Sequence, residues 1–196
     1  MFTQADAAVL DAFEQVASAL SRSGARVGDV QLDDWMSAPS RLQENGTLIA
    51  AEAAYIHAAT LASQPQALDP LVLSRIRRGE SIPAAHYVGL QQARDTLKKT
   101  LDQQIADLDV LMLPTVPLVA PRIDALADDA EFVRVNMLML RNTSVFNFYD
   151  LPAMSLPIQV SSGGLPVGLM VVGRRGCDRD LLAIGAALQS HVALLR

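Results

Sequence analysis

Cysteine, aromatic residues and positive charge are all scarce in this chain of 196 residues, and each shortage excludes something. Cys177 is the only cysteine, so no internal disulfide can form, and a reducing, cytoplasmic setting is expected. Aromatic residues make up 5% of the chain against 51% hydrophobic overall, so Ala, Leu and Val must build the core. The net charge is −5, and the basic clusters Arg75/Arg77/Arg78 and Arg174/Arg175 are too short to neutralise a phosphate backbone. Nucleic acid is therefore excluded as a partner. The longest apolar stretch, residues 47–62, is broken by Glu52 and His57 and falls short of the ~20 residues a membrane-spanning helix needs. "MFTQADAAVL" has no basic segment before its apolar residues and does not read as a signal peptide. A soluble chain without membrane association is expected.

Motifs for assisted chemistry are missing as well. His57, His86 and His191 are scattered and pair with no second ligand at helical spacing, so no metal site is expected. There is no G-x-G-x-x-G, no G-K-[ST] and no G-x-S-x-G, which removes dinucleotide, phosphate-loop and nucleophile-elbow chemistry. Ser161-Ser162-Gly163-Gly164 looks like a catalytic glycine/serine loop. It lies between two strand candidates, has no base beside it, and reads as a hairpin turn.

What is present is enough for one domain over residues 1–196. Val9, Phe13, Val16 and Leu20 recur at helical spacing and stop at Gly24, placed as a helix-ending glycine. "ARVGDVQL" alternates Val27, Val30 and Leu32 as a strand would. Residues 40–64 read as helical. Asp69 caps a helix with Pro70 in its first position, and a further helix runs from Ser81 and Pro83 to about Leu108. "DVLMLP" is a short buried strand, 114–129 a loop, and 131–143 a helix. "AMSLPIQV" and "VGLMVVG" form a hairpin, and Asp178 opens a last helix. The order α-β-α-α-α-β-α-β-β-α fits an α/β fold with a sheet covered by helices on both faces.

Two polar features stand out. Arg75, in "SRIRRG", is the planar, forked cation suited to a carboxylate, although arginines are mostly solvated. Asn142, Thr143, Ser144 and Asn147 cluster just before the strand bracketed by Pro152 and Pro157. Polar groups at strand ends line sites in open sheets, and capping explains them equally well.

Four segments resemble one family. "DVLMLPTVPLVAP" is similar to the D-x-L-x-x-P-T-x-P-x-x-A-P stretch of the amidase signature family. "RNTSVFNFYDLPAMSLPI", "GGLPVGLMVVGRRGCDRDLL" and "FEQVASALSRSGARVGDVQL" resemble other segments of it, in family order across almost the whole chain. The resemblance implies a mixed sheet covered by helices and amide hydrolysis through a serine acyl-enzyme, with a second serine, a lysine base, and no metal or organic cofactor. It also implies that this is the C-terminal half. The family's nucleophile loop and lysine lie upstream, and Lys98 and Lys99, the only lysines, match no catalytic position. No catalytic residue is expected here. Asp150 stands where the family usually has glycine.

Two expectations follow. The first is a hydrolase half that contributes pocket wall through Arg75, Asn142, Thr143, Phe146 and Asn147 and acts on a small amide only with an N-terminal catalytic half. The second is a non-catalytic module that associates with itself through an exposed strand edge, as a homo-oligomer. A self-standing serine hydrolase using Ser144, Ser155, Ser161 or Ser162 has no base–nucleophile spacing behind it.

Overall fold

The computed structural model describes residues 1–158 and 164–193. Eight α-helices are described: α1 (Ala7–Arg22), α2 (Asp33–Leu42), α3 (Leu48–Ile56), α4 (Ala58–Ser63), α5 (Pro70–Arg77), α6 (Ala84–Gln104), α7 (Asp129–Phe148) and α8 (Asp178–Ala193). The strands are β1 (Leu111–Pro114), β2 (Ala153–Ile158) and β3 (Val167–Val172). The described residues are thus mostly helical, with one small three-stranded sheet. Two compact units emerge, one of residues 1–31 and 102–196, the other of residues 32–101.

The first unit holds the sheet, in the order β1-β3-β2 with both pairs antiparallel. A mixed sheet was expected; among the described residues every pairing is antiparallel. β2 and β3 form the anticipated hairpin, with Ile158 opposite Val167. Of its Ser-Ser-Gly-Gly turn, only Gly164 lies within the described residues. On one face Leu156, Ile158, Val167, Leu169 and Val171 pack with Val9, Ala12, Val16 and Leu20 of α1 and Leu181 of α8. Each fully buried side chain of this kind stabilises by roughly 1.5–3 kcal/mol, so this contact anchors the unit. On the opposite face Leu111, Leu113, Met170 and Val172 are buried, whereas Ala153, Ser155 and Pro157 are exposed.

The ends of α1 and α7 share one motif. After α1, the Gly24 N–H bonds the Ser21 carbonyl (3.1 Å) and the Ala25 N–H bonds that of Leu20 (3.1 Å), with Gly24 at φ +102°. After α7, Asp150 bonds Asn147 (3.2 Å) and Leu151 bonds Phe146 (3.1 Å), with Asp150 at φ +53°. Both are Schellman ends, in which a left-handed residue lets two N–H groups satisfy the last carbonyls.

The second unit is a helical cluster. Thr47 caps α3 by accepting from the Ala50 N–H (3.0 Å), and Asp69 caps α5 by accepting from Leu71 and Val72 (2.9 and 3.2 Å). A 3-10 turn, Arg78–Ser81, presses on α3 so closely that a Cβ on Gly79 would stand 1.9 Å from the Ala50 carbonyl oxygen. Only glycine fits there. The single helix read over 40–64 is three helices, broken at Gly46 (φ +137°) and at His57.

Residues 25–32 are not a strand. Val27 and Val30 are exposed and only Leu32 is buried. Alternation makes a strand only where a neighbour completes the ladder, and no described strand pairs with this segment. Among the described residues, no helix is long and apolar enough to cross a membrane.

Candidate functional site

The polar groups of the first unit gather where α7 hands over to β2. Asn142 is fully buried, and its side-chain amide donates to the Pro114 carbonyl at 2.8 Å. Its Oδ1 accepts from Arg141 Nε at 3.2 Å. Pro114 ends β1 and has no N–H, so Asn142 satisfies the one backbone polar group that this residue offers. Phe146 is buried one turn on, and Tyr149 packs edge-on to Phe148 at 5.2 Å. Thr143 is half-buried and donates to the Leu140 carbonyl at 3.2 Å, while Asn147 is exposed on the last turn of α7. Of the residues anticipated here, Asn142 and Phe146 thus belong to the core, and Thr143 and Asn147 face outward. Arg75 belongs to the other unit, half-buried on α5 and without a carboxylate partner among the described residues.

Three arrangements were not foreseen. Thr115 and Ser155 reach over Gly168 from either side, their hydroxyls 2.6 Å apart. A Cβ on Gly168 would come within 2.7 Å of both oxygens, so the glycine makes room for the pair. Thr115, one residue past β1, stands opposite Gly168, while Ser155 is paired with Met170 and reaches the glycine diagonally, a relation invisible without the register. Second, Arg175 makes a forked contact to Asp102 (3.1 Å to each oxygen) and comes within 4.0 Å of Asp150. Third, Arg141 donates to the Thr3 carbonyl at 2.6 Å and to that of Met1, holding residues 1–3 against α7. Desolvation pulls its guanidinium below the usual arginine value.

Neither Ser144 nor Ser155 is placed for activation. The Ser144 hydroxyl donates to the Arg141 carbonyl (3.3 Å), and Ser155 meets only Thr115. Neither bonds a histidine, lysine or carboxylate, whereas a serine nucleophile requires a base within hydrogen-bond reach. Among the described residues no three His, Cys, Asp or Glu side chains are grouped to hold a metal. In the second unit a groove of about 450 Å³ lies on α3 and α4, floored by Ala51, Ala54, Ala58 and Ala62 and flanked by Tyr55 and Glu80.

The family model described as Amidase matches residues 1–182. The 2-amino-5-chloromuconic acid deaminase of Comamonas testosteroni is 25% identical over 187 residues, covering 95% of this chain and 40% of its own length. Urea amidolyase of Saccharomyces cerevisiae is 28% identical, over 88% of this chain and 9% of its own. Among solved structures, the K. lactis urea amidolyase superposes with a TM-score of 0.84 at 25% identity, over 98% of this chain and 11% of that one. A crystal structure of an amidase gives 0.76 at 26% identity, over 94% and 42%. The chain thus spans well under half the length of these relatives. With the match running over nearly all of its residues, the chain belongs to the amidase signature family.

Proposed function

We propose that this chain is the C-terminal half of an amide hydrolase and contributes pocket wall, while the serine nucleophile, its partner serine and the lysine base come from another segment. The observation that carries this is the family match over residues 1–182 in a chain that covers about two-fifths of the muconic acid deaminase it resembles. The idle serines agree with it: Ser144 and Ser155 bond only a helix carbonyl and another hydroxyl. Lys98, one of the two lysines, lies 3.6 Å from Asp95 on the side of α6. Half-buried Thr143 and exposed Asn147 are the candidates for contact with substrate in the first unit, and buried Asn142 and Phe146 hold that wall from behind. Arg75 is the candidate in the second unit. Without a carboxylate partner among the described residues, its fork suits a carboxylate on the substrate, and the deaminase named above acts on such an acid.

Complementation tests the proposal. The chain is mixed with the N-terminal segment of an amidase-family protein that carries the serines and lysine, and ammonia release from small amides is followed. Hydrolysis that needs both pieces, with a fluorophosphonate probe labelling only the added segment, is expected. A folded mixture without activity, or labelling of this chain, overturns it.

A further inference from the structure

Three segments distant in sequence meet around Arg141. All three of its guanidinium nitrogens are engaged. Nη1 donates to the Thr3 carbonyl at 2.6 Å and to the Thr3 hydroxyl at 3.3 Å, Nη2 donates to the Met1 carbonyl, and Nε donates to Asn142 Oδ1 at 3.2 Å. Asn142 in turn donates to the Pro114 carbonyl at 2.8 Å. Residues 1–6 are tied a second time by Asp6, whose N–H donates to the Pro117 carbonyl and whose Oδ2 accepts from the Val119 N–H, both at 2.9 Å. These links close a ring. Residues 1–6 join α7 through Arg141, α7 joins the end of β1 through Asn142, and the loop after β1 returns to residues 1–6 through Asp6.

Two choices of partner set this ring apart from ordinary surface contacts. Asp6 occupies the N-cap position of α1, where a carboxylate usually accepts from the first free N–H groups of the helix. Its side chain makes no such bond and accepts from Val119 instead. Arg141 turns a cation toward neutral oxygens, although desolvation pulls its guanidinium below the usual arginine value. Arginine suits this place because its donors lie in one rigid fork and reach diverging acceptors together, which the single nitrogen of lysine does not. The Phe2 ring also stands 5.1 Å from that of Phe13 in α1, which pins the segment between. Members of a closed hydrogen-bond network reinforce one another, so a break at one link is felt at the others.

We propose that Arg141 is a positioning residue of the substrate wall: by closing this ring it fixes the stretch of α7 that carries Asn142, Thr143 and Asn147 against the loop after β1. Thr143 and Asn147 follow Arg141 on the same helix, so a shift of α7 at Arg141 moves both. Without Arg141 the Oδ1 of fully buried Asn142 also loses its donor, and the amide that holds the Pro114 carbonyl is freed to turn. The consequence for substrate rests on the pocket-wall role proposed above; the ring itself does not.

Amide hydrogen exchange on the full chain tests the ring, and kinetics test its consequence. Arg141→Gln is expected to speed exchange severalfold at the Asp6 and Val119 N–H groups, neither of which bonds Arg141, while the amides of α8 keep their protection. Arg141→Lys keeps the charge without the fork and is expected to behave like Arg141→Gln. Asp6→Ala breaks the ring on its far side and is expected to speed exchange over residues 142–147 of α7. In the complementation mixture both Arg141 variants are expected to raise KM severalfold with kcat little changed, because the reacting groups come from the other segment. Unaltered exchange at Asp6 and Val119 in Arg141→Gln overturns the proposal. So does an Arg141→Lys variant that matches the unsubstituted chain, which would assign the role to charge, or a loss of protection that extends to α8, which would make Arg141 a general prop of the unit. A fall in kcat at unchanged KM overturns positioning of the wall. An inactive mixture with the unsubstituted chain counts against the hydrolase role alone, and exchange then decides whether Arg141 holds the wall.

Discussion

Replacing Asp150 by glycine should leave the protein as stable as before or make it more so, although it removes a carboxylate within 4.0 Å of Arg175. Two quantities decide the sign. Asp150 holds φ +53° as the left-handed residue of the Schellman end of α7. A residue with a Cβ sits there at a cost of roughly 1–2 kcal/mol, at the low end for aspartate, while glycine is almost free of it. Against this stands the ion pair. The Arg175 and Asp150 side chains retain 28% and 48% of their exposure, and the guanidinium is already engaged by Asp102. Exposed pairs contribute about 0–1 kcal/mol, and one at this distance belongs near the bottom of that range. The expected gain for Asp150→Gly is about 0.5–1 kcal/mol, read as a higher urea midpoint at unchanged slope. Asp150→Ala, which removes the carboxylate but keeps a Cβ, should lose about 1 kcal/mol. Repeating Asp150→Gly in an Arg175→Gln background should change the gain by less than about 0.5 kcal/mol. Loss of stability in Asp150→Gly, or an Asp150→Ala variant as stable as glycine, would refute the backbone argument and assign the site to its charge.

Other side chains give equally direct expectations. Asn142→Ala strands the Pro114 carbonyl in the core, should lower stability by about 1–3 kcal/mol, and is read by denaturant titration. Gly79→Ala drives a methyl into the Ala50 carbonyl at 1.9 Å and should destabilise the second unit by at least ~1–3 kcal/mol, seen as lost amide protection in α3 and α5. Glu131, on the first turn of α7, is held below the usual carboxylate range by its hydrogen bonds from Arg134. A carboxyl with a depressed folded value contributes stability above its unfolded value, about 4.3, and loses it as pH falls through the folded value. Glu131→Gln should therefore melt below the unsubstituted protein at neutral pH and alongside it in acid, with the gap narrowing in salt.

The sequence made the helix ends and buried strands legible because their causes are local. Asp69 before Pro70 caps α5 as expected, and Gly24 ends α1 because only a residue without a Cβ takes φ +102° cheaply. Leu169, Val171 and Val172 announce a buried strand by composition alone. What the sequence could not show is non-local. Residues 25–32 have a strand's alternation and no partner to pair with. Asn142 looks like a site residue in sequence because an asparagine in an apolar helix needs a partner; the sequence supplies the need but not the Pro114 carbonyl, 28 residues upstream, that meets it.

The same asparagine explains why the two prolines at the sheet's outer strands, alike in sequence, are finished differently. β1 reads Leu-Met-Leu-Pro and β2 reads Ala-Met-Ser-Leu-Pro-Ile, both uncharged and both containing a proline. Proline alone does not close an edge, because it removes a donor and leaves an acceptor exposed. On β1 the outward acceptor of Pro114 is taken by a fully buried amide. On β2 no described side chain does so, and the acceptors of Ser155 and Pro157 remain open beside the donors of Ala153 and Ser155. Asn142→Ala should therefore destabilise the chain by freeing the Pro114 carbonyl, and replacing Asn142 by aspartate, which keeps the shape but offers no donor to that carbonyl, should destabilise it as well, both read by denaturant titration.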